Sequence, residues 1–227
     1  MDKKINVLDV EIDNNSAKET MRKVMTYMDK ELISVIEMIT SDVLVKCKEN
    51  ETLKYNIAQS DLVLAGEKDV LELAGITDRK KLQEADTHLF LKMLLHFFHK
   101  NQNKIFILTA TEEERTNFKE YLHEFYNGID IVGAECVPED QSLDDMILNN
   151  INATEPECVI SILPPAIQEA FVARNKILLN ARIWLGLGKD VHLPKGIKRK
   201  KPVHDFLIKY FLKREVEKEK LKKRGNA

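Results

Sequence analysis

The chain has 227 residues, enough for one large domain or one domain with an appendage, and too few for two full domains. Hydrophobic residues make up 44% and charged residues 32%, which excludes a disordered chain and a membrane-embedded one. The formal net charge of -2 hides an asymmetry, because 13 of the 35 Lys and Arg but only 4 of the 37 Asp and Glu follow residue 194. Residues 1–194 therefore carry about -11 and residues 195–227 about +9. We predict an acidic domain over 1–194 and a basic appendage over 195–227 that meets an anionic partner.

Composition also limits the compartment and the chemistry. The longest apolar runs, such as residues 159–163, fall far short of the ~20 residues of a membrane-spanning helix. The first residues lead into an alternating pattern and not into the apolar core of a signal peptide. Three widely separated cysteines form no CxxC pair, and no GxGxxG or GxxxxGK[ST] loop occurs. We therefore expect a cytoplasmic protein with no metal site and no cofactor.

The first predicted element covers residues 4–12, whose alternating apolar residues are typical of a strand or hairpin. Asn15 and Ser16 are suited to cap the helix that follows. Longer apolar runs then predict buried strands, and the segments between them predict helices. The next elements are a helix over 17–30, a buried strand over 32–40, a helix over 42–58 and a short buried strand over 62–65.

The second half repeats the same alternation of strand and helix. Strands are predicted over 105–109, 129–134, 158–163 and 181–187, and helices over 111–126, 142–152 and 165–179. Helices that alternate with short apolar strands indicate an α/β fold, with a mainly parallel sheet flanked by helices on both faces. The basic appendage is predicted to be helical, with an apolar stripe surrounded by lysines and arginines.

Ligands of such sheets bind beyond the carboxyl ends of the strands. This rule selects five segments that could line a site: residues 40–42, 65–69, 109–111, 164–166 and 188–190.

Five stretches match the motifs of one glycosyltransferase family in order. Residues 5–14 (INVLDVEIDN) correspond to the opening NVLGV.vdn segment, residues 40–42 (TSD) to a T-x-N motif, and residues 60–70 to aDlvlpDG.gv. Residues 165–169 (PAIQE) are similar to a P-K-Q-E loop, and residues 186–202 to GvGg.fd..aG..kRaP. The chain therefore resembles the WecG/TagA/CpsF glycosyltransferases, carbohydrate-active family 26, over most of its length.

The resemblance implies an inverting hexosyltransferase of bacterial teichoic acid or other surface-glycan synthesis. Such an enzyme moves an N-acetylmannosamine-like sugar from a UDP-sugar to a polyprenyl-diphosphate-linked acceptor. It also implies a peripheral position on the inner face of the cell membrane, where the appendage docks, because Lys and Arg are worth ~1 kcal/mol each beside anionic lipid. The residues that would bind the diphosphate or the lipid headgroups are Lys198, Arg199, Lys200 and Lys201.

The same basic cluster could bind an anionic partner other than a membrane. Nucleic acid is the less favoured one, because no aromatic residues interleave with the cluster. A homo-oligomer is compatible with the sequence.

The substrate-binding residues that the resemblance implies are Thr40, Asp42, Gly66, Gln83, Gln168 and Glu169. Inverting transfer needs a base, and a carboxylate suits that role. Gly66 stands where the family has its proposed catalytic Asp, so the base falls to Glu67 or Asp69. Ordinary structural roles stay open for each: Thr40 as a helix cap, Glu67 and Asp69 as solvated loop charges, and Gln168 as a helix N-terminal residue.

A second hypothesis follows from the departures from the family motifs. The proposed base, a diphosphate-binding Arg and the glycines after the central strand are replaced by Gly66, Gln83 and residues 109–111 (TAT). The chain could therefore be a catalytically impaired paralogue that acts as a binding or scaffold subunit.

Overall fold

Two short strands at the amino terminus form the predicted hairpin. In the computed structural model, which describes residues 4–140 and 142–188, β1 (Lys4–Val7) pairs antiparallel with β2 (Val10–Asp13). The turn between them consists of Leu8 and Asp9, both with positive φ, as a two-residue hairpin turn that follows the twist of its strands requires. The buried Asp13 side chain then accepts a hydrogen bond of 3.0 Å from the Val63 amide, which ties the hairpin to the main sheet.

A six-stranded sheet in which all neighbours are parallel forms the centre of the fold and confirms the predicted α/β class. Its strand order is β4-β3-β8-β7-β5-β6. The strands, all close to the predicted ones, are β3 (Ser34–Ile39), β4 (Leu62–Ala65), β5 (Lys104–Thr109), β6 (Asp130–Cys136), β7 (Cys158–Ile162) and β8 (Ile183–Gly186).

Helices cover both faces of the sheet, as predicted. The described helices are α1 (Ala17–Met28), α2 (Ser41–Glu49), α3 (Glu51–Ala58), α4 (Lys68–Leu73), α5 (Arg79–Asp86), α6 (Leu89–Asn101), α7 (Glu112–Phe125), α8 (Asp144–Thr154) and α9 (Pro165–Asn175). Apolar residues of α1, α6 and α7 pack on one face, and those of α2, α3, α8 and α9 pack on the other. With both faces buried, the carboxyl edge of the sheet is left for a site.

Two parts of the helical layer differ from the sequence-based prediction. The predicted helix over 42–58 is interrupted at Asn50, which ends α2 and whose side-chain Oδ1 accepts a 3.0 Å bond from the Leu53 amide to cap α3. No element is predicted between the strands β4 and β5, whereas the structure has α4, α5 and α6 there. The predicted appendage over 195–227, with Lys198–Lys201, lies outside the described residues.

We expect Asn50→Ala to lower the free energy of unfolding by about 1 kcal/mol, because the first turn of α3 loses its side-chain cap. Asn50→Asp is the matched control, since its carboxylate can accept the same bond. Urea unfolding at constant m-value would measure both variants. Equal losses in the two variants would contradict the capping role.

Candidate functional site

The loops that follow β3 and β4 are joined at the carboxyl edge of the sheet. The Gly66 amide donates a 2.7 Å hydrogen bond to the carbonyl of Ile39, the last residue of β3. Glu67 Oε1 accepts bonds from the backbone N–H of Ser41 at 2.8 Å and from its hydroxyl at 2.5 Å. The two loops are therefore held together by a carboxylate at the N-terminus of α2, where an anion is favourable.

Gly66 allows a close approach where these loops meet. A Cβ atom at this position would lie 3.0 Å from the Ile39 carbonyl oxygen, closer than side chains normally approach. The fold thus accommodates a glycine at the position where the family motif has an aspartate. The adjacent carboxylate, Glu67, is half-buried and bonded to Ser41, and its catalytic role stays a prediction.

Thr40 ends the same strand with a buried hydroxyl. It is the N-cap residue of α2, the position that the helix-cap interpretation gives it, but its side chain makes no capping hydrogen bond. Its Oγ1 has no hydrogen-bond partner among the described residues, although the residue is only 5% exposed. Buried hydroxyl groups usually have a protein or water partner, so this atom is available to a ligand or to ordered water. Its role in binding stays a prediction.

Three other predicted residues lie around this edge without joining it. Asp42 forms an ion pair with Lys46 at 2.5 Å, one turn further along α2. Asp69 lies half-buried in the first turn of α4. Gln83 is exposed on α5. The structure therefore joins Gly66 and Glu67 to the ends of β3 and α2 and leaves Gln83 outside this group.

Gln168 and Glu169 lie in a buried polar cluster at the centre of the sheet. Both belong to the N-terminal part of α9, as predicted for Gln168, and both are only 3% exposed. Gln168 Nε2 donates a 2.5 Å bond to Oε2 of Glu37, a β3 residue that is 2% exposed. The Glu169 carboxyl lies beside that of Glu37.

A missing side chain makes room for this cluster. Gly186 of β8 is in register with Glu37 on one side and with Ser161 of β7 on the other. A Cβ atom at Gly186 would overlap the Glu37 carboxylate and the Gln168 amide. Ser161 Oγ, Glu37 Oε1 and Gln168 Oε1 are buried without a hydrogen-bond partner in the described part of the chain. The cluster is therefore a polar inclusion in an apolar sheet, with acceptors still open.

Burial shifts the protonation of both carboxyl groups. Desolvation, reinforced by the adjacent Glu169 carboxyl, raises the pKa of Glu37 well above its usual range. Desolvation also raises the pKa of Glu169 to about 7, although its bonds with Gln168 and Glu37 oppose the shift. Two carboxylates in hydrogen-bond contact cannot both ionise readily, so the pair retains a proton near neutral pH.

A small cavity lies at the same edge but under the opposite face of the sheet. Its volume is about 60 Å³, room for a few water molecules, and it is lined in part by Ala65, Lys81 and Glu84. Lys81 Nζ donates to Asn14 Oδ1 at 2.7 Å, and Glu84 accepts a bond of 2.8 Å from the Ala17 amide. Of the segments predicted to line a site, residues 65–69 contribute Ala65 to this cavity, and none of the predicted catalytic or substrate-binding residues lines it.

The comparisons with known proteins identify the family. The profile of the glycosyl transferase WecG/TagA/CpsF family matches residues 5–203. The chain belongs to this family. Membership implies glycosyl transfer in cell-surface glycan synthesis, with a nucleotide-sugar donor and a lipid-linked acceptor. No curated protein is significantly similar to the chain.

Membership confirms the resemblance that the five motifs indicate. The matched range ends at residue 203 and so includes the last motif, residues 186–202. Within residues 4–140 and 142–188, no helix is both long enough and apolar enough to cross a membrane.

The sequence analysis missed Glu37, which no family motif includes. A signal was present, because Glu37 is the one charged residue of the otherwise apolar stretch 33–39 (ISVIEMI). A charged residue in the middle of a strand buried on both faces needs a partner, and that partner comes from α9, more than a hundred residues later. Sequence periodicity does not identify such a partner.

We expect the stability of this family member to fall as pH rises from about 4.5 to about 7. The pKa of Glu169 is about 7 in the folded chain against an ordinary 4.5, so the stabilisation is complete below about pH 4.5 and is lost as pH rises through the folded value. Glu169→Gln should reduce the slope of unfolding free energy against pH by up to about 1.4 kcal/mol per pH unit, which corresponds to one proton. Urea unfolding at several pH values measures the slope, and equal slopes in both proteins would contradict the buried acid pair.

Proposed function

We propose that the protein transfers an N-acetylhexosamine, N-acetylmannosamine-like, from a UDP-sugar to a polyprenyl-diphosphate-linked acceptor. Family membership supports the reaction class. The observation that carries the proposal for this chain is a pair of buried oxygens with no hydrogen-bond partner among the described residues, Thr40 Oγ1 and Gln168 Oε1. Thr40 lies at the carboxyl end of β3, and Gln168, on α9, bonds through its nitrogen to Glu37 of the same strand. Ligands of parallel sheets bind at that edge, and a sugar offers the hydroxyl donors that such atoms accept.

Glu67 is our candidate for the general base. Its Oε1 is fixed by two hydrogen bonds from Ser41, which holds the carboxylate in one place between the ends of β3 and β4. A positioned carboxylate can take the proton of an acceptor hydroxyl as the hydroxyl oxygen bonds to the anomeric carbon of the sugar and the bond from that carbon to UDP breaks. Asp69, half-buried in the first turn of α4, is the second carboxylate of the same loop.

The first test of the proposal is turnover. Purified protein with UDP-N-acetylmannosamine and a lipid-diphosphate-linked N-acetylglucosamine acceptor should release UDP and form the disaccharide lipid. Calorimetry with UDP alone should detect binding. Failure of both measurements would remove the enzyme hypothesis.

The base is tested by two isosteric substitutions. We expect Glu67→Gln to lower kcat by about 10²- to 10⁴-fold, since the amide cannot accept the proton, while UDP binding persists. Asp69→Asn is the matched control and should cost less than tenfold. The reverse order of effects would move the base to Asp69, and small effects of both would leave neither residue as the base.

A scaffold subunit is the second candidate function. Gly66 leaves no carboxylate at the family's catalytic position, and the anchoring of Glu67 at the N-terminus of α2 suits a purely structural residue equally well. Under this alternative UDP or the acceptor would bind without turnover, and Glu67→Gln would change stability but not chemistry.

We also propose that residues 195–227 form the membrane-docking part of the protein, with Lys198, Arg199, Lys200 and Lys201 at its centre. The support is the charge of this segment, about +9 against about -11 for the remainder. Basic residues gain ~1 kcal/mol each at an anionic lipid surface.

Replacing these four basic residues by Gln should weaken binding of the full chain to phosphatidylserine-containing vesicles by about a hundredfold or more. Binding of the unaltered protein should also fall as salt is added. The control changes four exposed lysines of the domain by the same net charge: Lys18, Lys48, Lys80 and Lys100. Equal losses in the two variants, or binding that ignores salt, would contradict an electrostatic dock.

A further inference from the structure

The side-chain amide of Gln168 is held in one orientation by its surroundings. Its nitrogen donates to Glu37 Oε2 at 2.5 Å. Because this carboxyl oxygen accepts the bond, it selects the NH₂ end of the amide and excludes the amide oxygen. The oxygen is left buried with no partner in the described residues.

The carboxyl groups that select this orientation are themselves fixed. Glu37 lies on a central strand, flanked in register by Gly186 and Val63, and cannot move sideways without meeting the neighbouring strands. Because Gly186 has no side chain, it leaves the space that the cluster occupies. A methyl group there would overlap both Glu37 and Gln168. The Glu37 and Glu169 carboxyls lie side by side, and the buried pair retains a proton.

We propose that Glu37 is a positioning residue. Together with Glu169 it holds the Gln168 nitrogen inward, so that Gln168 presents only its oxygen to a substrate. The group that Gln168 recognises is then a hydrogen-bond donor, a sugar hydroxyl or an acetamido N–H, and not a phosphate oxygen. The substrate contact rests on the proposed function, whereas the orientation of the amide does not.

The orientation can be measured without turnover. In protein labelled with ¹⁵N-glutamine, the Gln168 NH₂ signals are those that disappear in Gln168→Met. Both protons should exchange slowly, and their chemical shifts should change as the carboxyl pair loses its proton. In Glu37→Gln the pair cannot form, so this pH dependence should vanish and exchange should become faster.

The groups facing the pair limit how the titration is interpreted. Trp184 of β8 lies beside Glu37 and lowers the pKa of that carboxyl, against the larger effect of burial. Cys47 of α2 faces Glu169, and burial together with that carboxyl raises the pKa of its thiol to about 12. Lys54 and Glu51, on α3, act on the same thiol. A change in the Gln168 signals near neutral pH therefore reports the carboxyl pair and not the thiol.

Kinetics test whether Glu37 acts through Gln168. Glu37→Gln should lower kcat/KM for the sugar donor by about tenfold or more, with UDP affinity unchanged, because the amide no longer has a single orientation. The double variant with Gln168→Met should be no worse than Gln168→Met alone. Additive losses would overturn the positioning role and leave Glu37 as a structural residue.

The outcomes separate this inference from the proposed function. Fast exchange of the Gln168 NH₂ protons in the unaltered protein, or signals that do not respond to pH, would overturn the inference whether or not the protein turns over. If the protein gives the expected NH₂ signals but shows no turnover, the orientation of the Gln168 amide is supported and the enzyme hypothesis is excluded. If Glu37→Gln does not fold, the titration of the unaltered protein still decides the question.

Discussion

Burial of the parallel sheet on both faces is the constraint on which the rest of the structure depends. Because helices cover each face, every polar side chain on an inner strand must find a partner or reach the carboxyl edge. Glu37 is 2% exposed, and its neighbours from α9 are Gln168, which donates a hydrogen bond to it, and Glu169. The absence of a side chain at Gly186 supplies the space for this contact. Glu37 on β3 thereby contacts α9 and lies opposite Gly186 on β8. Its protonation is linked to that of Glu169.

The carboxyl edge combines two groups of polar residues with different properties. Around Gly66 and Glu67 the loops are tied by short backbone and side-chain bonds, and the carboxylate is anchored at Ser41. In the cluster around Gln168, the side-chain nitrogen donates to Glu37. The side-chain oxygen of Gln168 is an acceptor with no partner among the described residues. A fixed carboxylate and a fixed acceptor are the kinds of group that sugar transfer requires, one to take a proton and one to orient a hydroxyl.

The departures from the family motifs also gain a physical explanation at one position. Gly66 is not simply a lost aspartate, since the close approach of its backbone to Ile39 leaves little room for any side chain. Gln83 stands where the family has a diphosphate-binding Arg, and its side chain is exposed on α5. Lys81, on the same helix, lines the cavity at the edge of the sheet. The question of activity therefore turns on Glu67 and Asp69.

The sequence predicts the α/β class, nearly all strands, the capped start of α1 and the family, because these depend on local periodicity and on motif order. It does not predict α4, α5 or α6. It did not determine the break at Asn50, where a favourable cap outweighs continuation of a helix. The role of Glu37 was decided by the tertiary structure alone. Its partners lie about 130 residues away along the chain, and the burial that raises its pKa exists only once α9 packs on the sheet. A hydrogen bond between distant segments and the desolvation around it have no signature in local sequence.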